Sequence, residues 1–323
     1  MHVVPFLLVA ASAFAADFPS AEISNGVVRI KFYTPSVENG SYRGTRFDWS
    51  GIASSIEYKG HQFAGQWYPK HDPKTHDALT GPAEEFMTPD ESAHGYGEAK
   101  PGETFMRIGV GTARKPAGET AYRRFDTYEI VDPGKREFSK TADSATFVHE
   151  LTAPGGYAYR YTKTVRLVAG QPRFVIEHHL KNTGTRAIDT LQYNHNFFTI
   201  DDSTIGPGVR IVFGFDAKPA RAPGDMAAMR GRALEYLRDL KPGGESASTS
   251  IEGFGPNASD YHFTIENRRA GAAVHITGDQ PLSRVFFWSI RTVACPEPYV
   301  HIQVEPGRTA DWSITYDLSE LPR

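Results

Sequence analysis

From Ile23 onward the chain is a succession of short segments in which hydrophobic and polar positions alternate. Residues 27–33, 55–60, 104–111, 128–131, 145–151, 157–168, 173–182 and 188–198 carry the pattern first, and 209–215, 261–267, 272–278, 284–290, 299–305 and 310–318 continue it. Val, Ile, Tyr, Phe and Thr at every second position are what a pleated surface with one buried face selects. Between the segments stand Ala153-Pro154-Gly155-Gly156, Ala169-Gly170-Gln171-Pro172, Asn182-Thr183-Gly184 and Glu305-Pro306-Gly307, turn sequences that predict antiparallel hairpins. One stretch has a helical period instead. Asp225 as a cap, then Met226, Met229, Leu234, Leu237 and Leu240, closed by Lys241-Pro242-Gly243-Gly244, predict a short helix over 225–241.

Two stretches break the rhythm. Residues 61–103 are polar and rich in Gly, Pro, His and acids, and residues 216–258 hold the predicted helix and a Gly/Ser-rich tail. Loops of this length in a compact domain usually serve a site or a lid. Neither reads as a linker and no repeat stands out, so the pattern predicts one all-β, antiparallel domain over residues 16–323.

Hydrophobic residues make up 40 % of the 323, enough for a substantial core. The 35 basic and 38 acidic residues leave no electrostatic footprint for nucleic acid or an anionic membrane, which points to a small neutral or mixed-charge partner. Residues 1–15 form an apolar run ending in Ala13-Phe14-Ala15 and predict a cleaved signal peptide, hence a periplasmic or secreted protein. The run is too short to span a bilayer, and no later segment approaches the required length. The single cysteine, Cys295, excludes an internal disulfide and lies in an apolar stretch that reads as core.

The candidate chemistry centres on Tyr193-Asn194-His195-Asn196-Phe197-Phe198, which sets a histidine among polar and aromatic neighbours at the end of a predicted strand. Glu297, fixed between Pro296 and Pro298, is a carboxylate that could return to it as the second half of a proton-transfer pair. His94, next to Gly95, could approach a ligand closely, and Arg46 offers a planar fork for two hydroxyl groups of a ligand. Trp49, Trp67 and Trp288 could stack on a ligand's face or simply fill the core. His71, Asp72, His76 and Asp77 lack metal-ligand spacing, and adjacent His178 and His179 would point to opposite faces of a strand, so no metal is expected. Nor is there a phosphate-binding loop or a nucleophile elbow, and no cofactor is expected.

These residues resemble the aldose 1-epimerase (galactose mutarotase) superfamily. The turn Asn182-Thr183-Gly184 followed by Asn194-His195-Asn196-Phe197-Phe198 is similar to the segment carrying the family's catalytic histidine. Glu297, ahead of Glu305-Pro306-Gly307 and a last strand, stands where the family has its catalytic glutamate. The likeness is clearest over residues 150–318 and weaker before, where His94-Gly95 and Arg46 look like substrate-binding positions. Asn194 and Trp288 are further candidates for substrate contact.

The resemblance implies a large antiparallel β-supersandwich and cofactor-independent interconversion of sugar anomers, with Glu297 as base and His195 as acid. The substrate would be a monosaccharide or oligosaccharide. Two other readings stay open: a polysaccharide lyase-like enzyme acting on uronate sugars, and a non-catalytic carbohydrate-binding module. Thr199-Ile200 after the aromatic pair and Ala294-Cys295-Pro296 before Glu297 depart from the family's usual contexts.

Overall fold

A computed structural model describes residues 18–118 and 121–322; the predicted signal peptide lies outside them. Most of the alternating segments become strand, although 104–111 breaks at a turn over 108–110 and 188–198 leaves its sheet after His195, and every strand pair is antiparallel. The largest sheet has ten strands, with Arg173–Asn182 and Thr309–Glu320 side by side near its middle. Burial along Arg173–Asn182 alternates strictly, the signature of one face in the core and one toward water. The second sheet has six strands in the spatial order Lys218–Pro219, Ser246–Glu252, Arg284–Ile290, Val293–Val304, Ile188–His195 and Ala83–Met87. Smaller sheets of four and three strands come from residues 20–62 and 104–132.

The two large sheets close on each other over an apolar core that includes Tyr161, Ile176, Leu180, Ile314 and Tyr316 from the larger and Phe86, Val285, Phe287, Val300 and Ile302 from the smaller. The six-stranded sheet is covered on its other face as well, where Phe47, Trp49, Trp67 and Leu79 from the amino-terminal loops pack on Tyr193, Cys295 and Tyr299. Cys295 is the core residue its context predicts, and its burial pushes the thiol well above the ordinary range. A charged network crosses the sandwich interior. Lys163 Nζ lies 2.6 Å from Asp48 Oδ2 and 2.9 Å from Glu84 Oε2, while His178 Nε2 lies 2.9 Å from Glu84 Oε1. His178 is buried and its neighbour His179 faces out to Asp311, as strand geometry requires.

The helix expected over 225–241 does not form. Ala227–Arg230 and Ala233–Tyr236 are a hairpin at the edge of the ten-stranded sheet, with Met229 paired to Leu234. The apolar spacing that mimics a helix is the mirror symmetry of a hairpin about its turn. Gly231 takes φ +60 there, a conformation that costs an L-residue ~1–2 kcal/mol. Gly231→Ala should therefore destabilise the protein by about 1 kcal/mol in urea unfolding, whereas in a helix interior the same change would stabilise by about as much.

Candidate active site

The site begins at a turn. Asn182 is fully buried, and its amide donates to the carbonyls of Arg186 at 2.7 Å and Val304 at 2.8 Å. Gly184 N–H donates to Asn182 Oδ1 at 2.9 Å, and a Cβ on Gly184 would lie 2.4 Å from the Gly156 carbonyl, so only glycine fits. Pinned in this way, the chain enters the strand Ile188–His195 opposite Val304, and the register runs on to Tyr193 opposite Tyr299. The ladder extends as far as that pair, and continuing its register by two residues would set His195 opposite Glu297. Their side chains meet: His195 Nε2 lies 3.2 Å from Glu297 Oε1, and the residues are 4 % and 3 % exposed.

Aromatic rings hold the imidazole. Phe197 stacks on it with centroids 3.7 Å apart, and Trp288 and Phe47 meet it edge-on at 5.4 and 5.9 Å. His195 Nδ1 has no hydrogen-bond partner among the described residues. Asn196 Nδ2 donates to the Pro296 carbonyl at 2.8 Å, tying the histidine segment to the proline-flanked glutamate, and the Tyr299 hydroxyl donates to Glu297 Oε2 at 3.4 Å. With Arg46, His76, Asp77, Arg124, Phe125, Arg284, Phe286, Trp288 and Tyr299, the pair lines a cleft of about 360 Å³. That is the small end of the ~300–1,000 Å³ typical of ligand pockets.

One wall is an arginine cluster built on Glu85, which is 0 % exposed. Its carboxylate accepts from Arg46 Nε at 2.9 Å, Arg107 Nη2 at 3.2 Å, Arg124 Nη2 at 2.8 Å and the Tyr193 hydroxyl at 2.6 Å. Burial alone would raise this carboxyl, but Arg124, Arg46 and Arg107 outweigh it and hold Glu85 well below the usual carboxylate range. Arg46 gives its other edges to Asp77 at 2.6 Å and the Tyr193 oxygen at 3.0 Å. The fork expected to meet sugar hydroxyls is thus occupied by protein.

At the pair itself, burial dominates. It pushes Glu297 up to about 7, against the opposing pull of Arg46 and Arg124. It pushes His195 well below the ordinary 6.5, and there the same two arginines add to it. Both groups are driven toward their neutral forms.

Trp288 lines the cleft as well as the pair and Arg46, but two other sequence candidates do not. Asn194 points to the opposite face of its strand, into the sandwich, where its amide donates to the Tyr316 hydroxyl at 2.9 Å. His94 bridges to Met106, and its Nε2 lies 3.1 Å from the carbonyl of Asp189. Asp189 is at the far end of the histidine strand, roughly 20 Å from His195 along it. Burial lowers His94 to about 4, a neutral packing histidine. Trp49 and Trp67 are buried, donating their indole N–H to the Gly44 and Leu79 carbonyls. Among the described residues no three His, Cys, Asp or Glu side chains are grouped to hold a metal ion.

Sequence reasoning missed Glu85, Arg124, Phe125, Arg284, Phe286 and Tyr299. Three of these were within reach: 284 and 286 share a strand face with Trp288, and 299 shares one with Glu297.

No protein-family model and no curated protein matches the chain. Solved structures do. Slr1438 from Synechocystis sp. PCC 6803 superposes with a TM-score of 0.56 at 14 % identity, covering 97 % of this chain and 100 % of that one. A putative aldose 1-epimerase from Escherichia coli K12 gives 0.55 at 13 % identity, covering 94 % and 99 %. A GalM/aldose epimerase homologue from C. elegans gives 0.51 at 12 %, covering 95 % and 100 %. The strand order, the two facing sheets and these superpositions together give the protein the galactose mutarotase-like sandwich fold.

Proposed function

We propose that the protein interconverts the α and β anomers of a reducing monosaccharide through proton transfer at His195 and Glu297, an aldose 1-epimerase-like reaction. The observation that carries this reading is cross-strand contact between an imidazole and a carboxyl group at the same cleft. Ring opening requires one proton to leave the anomeric hydroxyl and another to reach the ring oxygen. Both oxygens are bonded to C1, so two side chains in contact can serve both transfers.

The electrostatics favour a distribution opposite to the one the resemblance implies. Burial leaves a neutral imidazole beside a carboxyl that is still substantially protonated near pH 7. His195 then accepts the anomeric proton at Nε2 while Glu297 delivers its own to the ring oxygen. After rotation about C1–C2 the transfers reverse and the pair is restored. Trp288, Phe286 and Phe125, the last 55 % exposed, offer aromatic faces for the sugar's C–H surfaces.

Magnetisation-transfer NMR on equilibrated aldoses and acidic sugars tests this directly. Anomeric exchange above the spontaneous rate at micromolar protein is the expected result. Absence of acceleration across the whole panel would overturn it, and unsaturated products from uronate polymers would move the site to lyase chemistry.

A further inference from the structure

We propose that the cleft takes an acidic monosaccharide, whose carboxylate or phosphate ester is held by Arg124 and Arg284. This rests on the reading of the cleft as a sugar site and narrows its substrate class. The argument starts from charge. Three guanidinium groups, Arg46, Arg107 and Arg124, converge on one buried carboxylate, Glu85, and the only further acid they meet among the described residues is Asp77. Glu297 is the remaining carboxyl group at the cleft, yet it makes no ion pair with an arginine among the described residues. Were it to ionise to balance the cluster, the pair would lose the proton that anomer exchange needs. Uncompensated charge at a desolvated wall is costly, and a ligand anion relieves it.

The unspent donors lie on the two arginines that line the cleft. Arg124 gives Nε and Nη2 to Glu85 and Tyr193, which leaves Nη1 without a hydrogen bond among the described residues. Arg284 gives Nη1 to Glu91, itself 48 % exposed, and keeps Nε and Nη2. Both are steadied by one aromatic stack. Arg124 Cζ lies 5.3 Å from the Tyr193 ring, Arg284 Cζ lies 4.9 Å from the Tyr299 ring, and the two rings stack at 4.2 Å. Planar forks held this way suit a carboxylate or a phosphate, whereas a neutral sugar leaves their donors to water.

The test compares exchange efficiency on a neutral hexose, the matching uronic acid and its phosphate ester. One acidic sugar should be favoured over the neutral one by roughly tenfold or more, and which one identifies the anion. Arg284→Gln should cut that acidic-to-neutral ratio by about tenfold. Equal efficiency on all three sugars, or a ratio untouched in the variant, overturns the inference. If no sugar exchanges at all, the enzymatic reading falls separately. Thermal stabilisation then decides: a larger shift with the uronate or phosphate than with the neutral sugar supports the anion site, and equal shifts sink it.

Discussion

Glu297→Gln is expected to slow anomeric exchange by roughly 10²–10⁴-fold, the usual contribution of a positioned acid or base. The substitution keeps the shape that Pro296, Pro298 and Tyr299 enclose but removes the group that gains and loses a proton. Stability supplies the control. The folded state raises this carboxyl from 4.5 to about 7, so between those values the native protein binds the extra proton. Stability therefore falls as pH rises through that window, and the burden of Glu297 is fully present above about 7. The glutamine variant should be at least as stable as the parent at pH 8, and its advantage should vanish below pH 4.5. Lost exchange in a protein that melts no earlier would assign the defect to chemistry; full activity would remove Glu297 from the reaction.

The same shifts set the pH profile. The working pair carries one proton in total, so activity should be bell-shaped. Its alkaline limb should fall near pH 7, where Glu297 deprotonates, and its acid limb should lie well below 6.5, where His195 takes a second proton. Activity that instead climbs through pH 7 and holds at pH 9 would restore Glu297 to the role of an ionised base.

Most of the fold was legible because most strands have one wet face. In Val28–Tyr33 and His262–Asn267 burial alternates, and so does the sequence through Val28, Ile30, Phe32, Phe263 and Ile265. Ala83–Met87 is buried at all five positions, which erases the alternation, and its two consecutive glutamates look like a surface loop. Yet this is the strand that sends Glu84 into the sandwich and Glu85 to the arginines. The long loop 61–103 was read as serving a site, and it does supply His76 and Asp77 to the cleft; 216–258 instead supplies a hairpin and a sheet strand. His195 was recognisable from its local context and Glu297 from its place ahead of the last Pro-Gly turn and strand, while Arg124 and Phe125 come from a loop with no periodic signal at all. Their positions are set by a carboxylate 39 residues earlier in the chain, a partnership that no local pattern encodes.

Glu85→Ala should be the most damaging single substitution at the site. Truncating this side chain leaves Arg46, Arg107 and Arg124 facing one another in a space where they are 6 %, 2 % and 17 % exposed at the side chain, with no common counter-ion. Removing one member of a buried ionic network costs ~3–5 kcal/mol, which for a chain of this size corresponds to a fall in the thermal midpoint of roughly 4–7 °C. An unchanged midpoint would mean that the arginines find other partners and that Glu85 is not their anchor. Glu85→Gln, which keeps the volume, separates anchoring from electrostatics. Glu85 opposes Arg46 and Arg124 at Glu297, so neutralising it lets the two cations pull the Glu297 carboxyl downward. The alkaline limb of the exchange profile should then move below pH 7, toward acid, in whatever fraction of the variant remains folded. A limb that stays in place would show that the arginine cluster and the proton-transfer pair do not sense each other, and the cleft would have to be read as two independent halves.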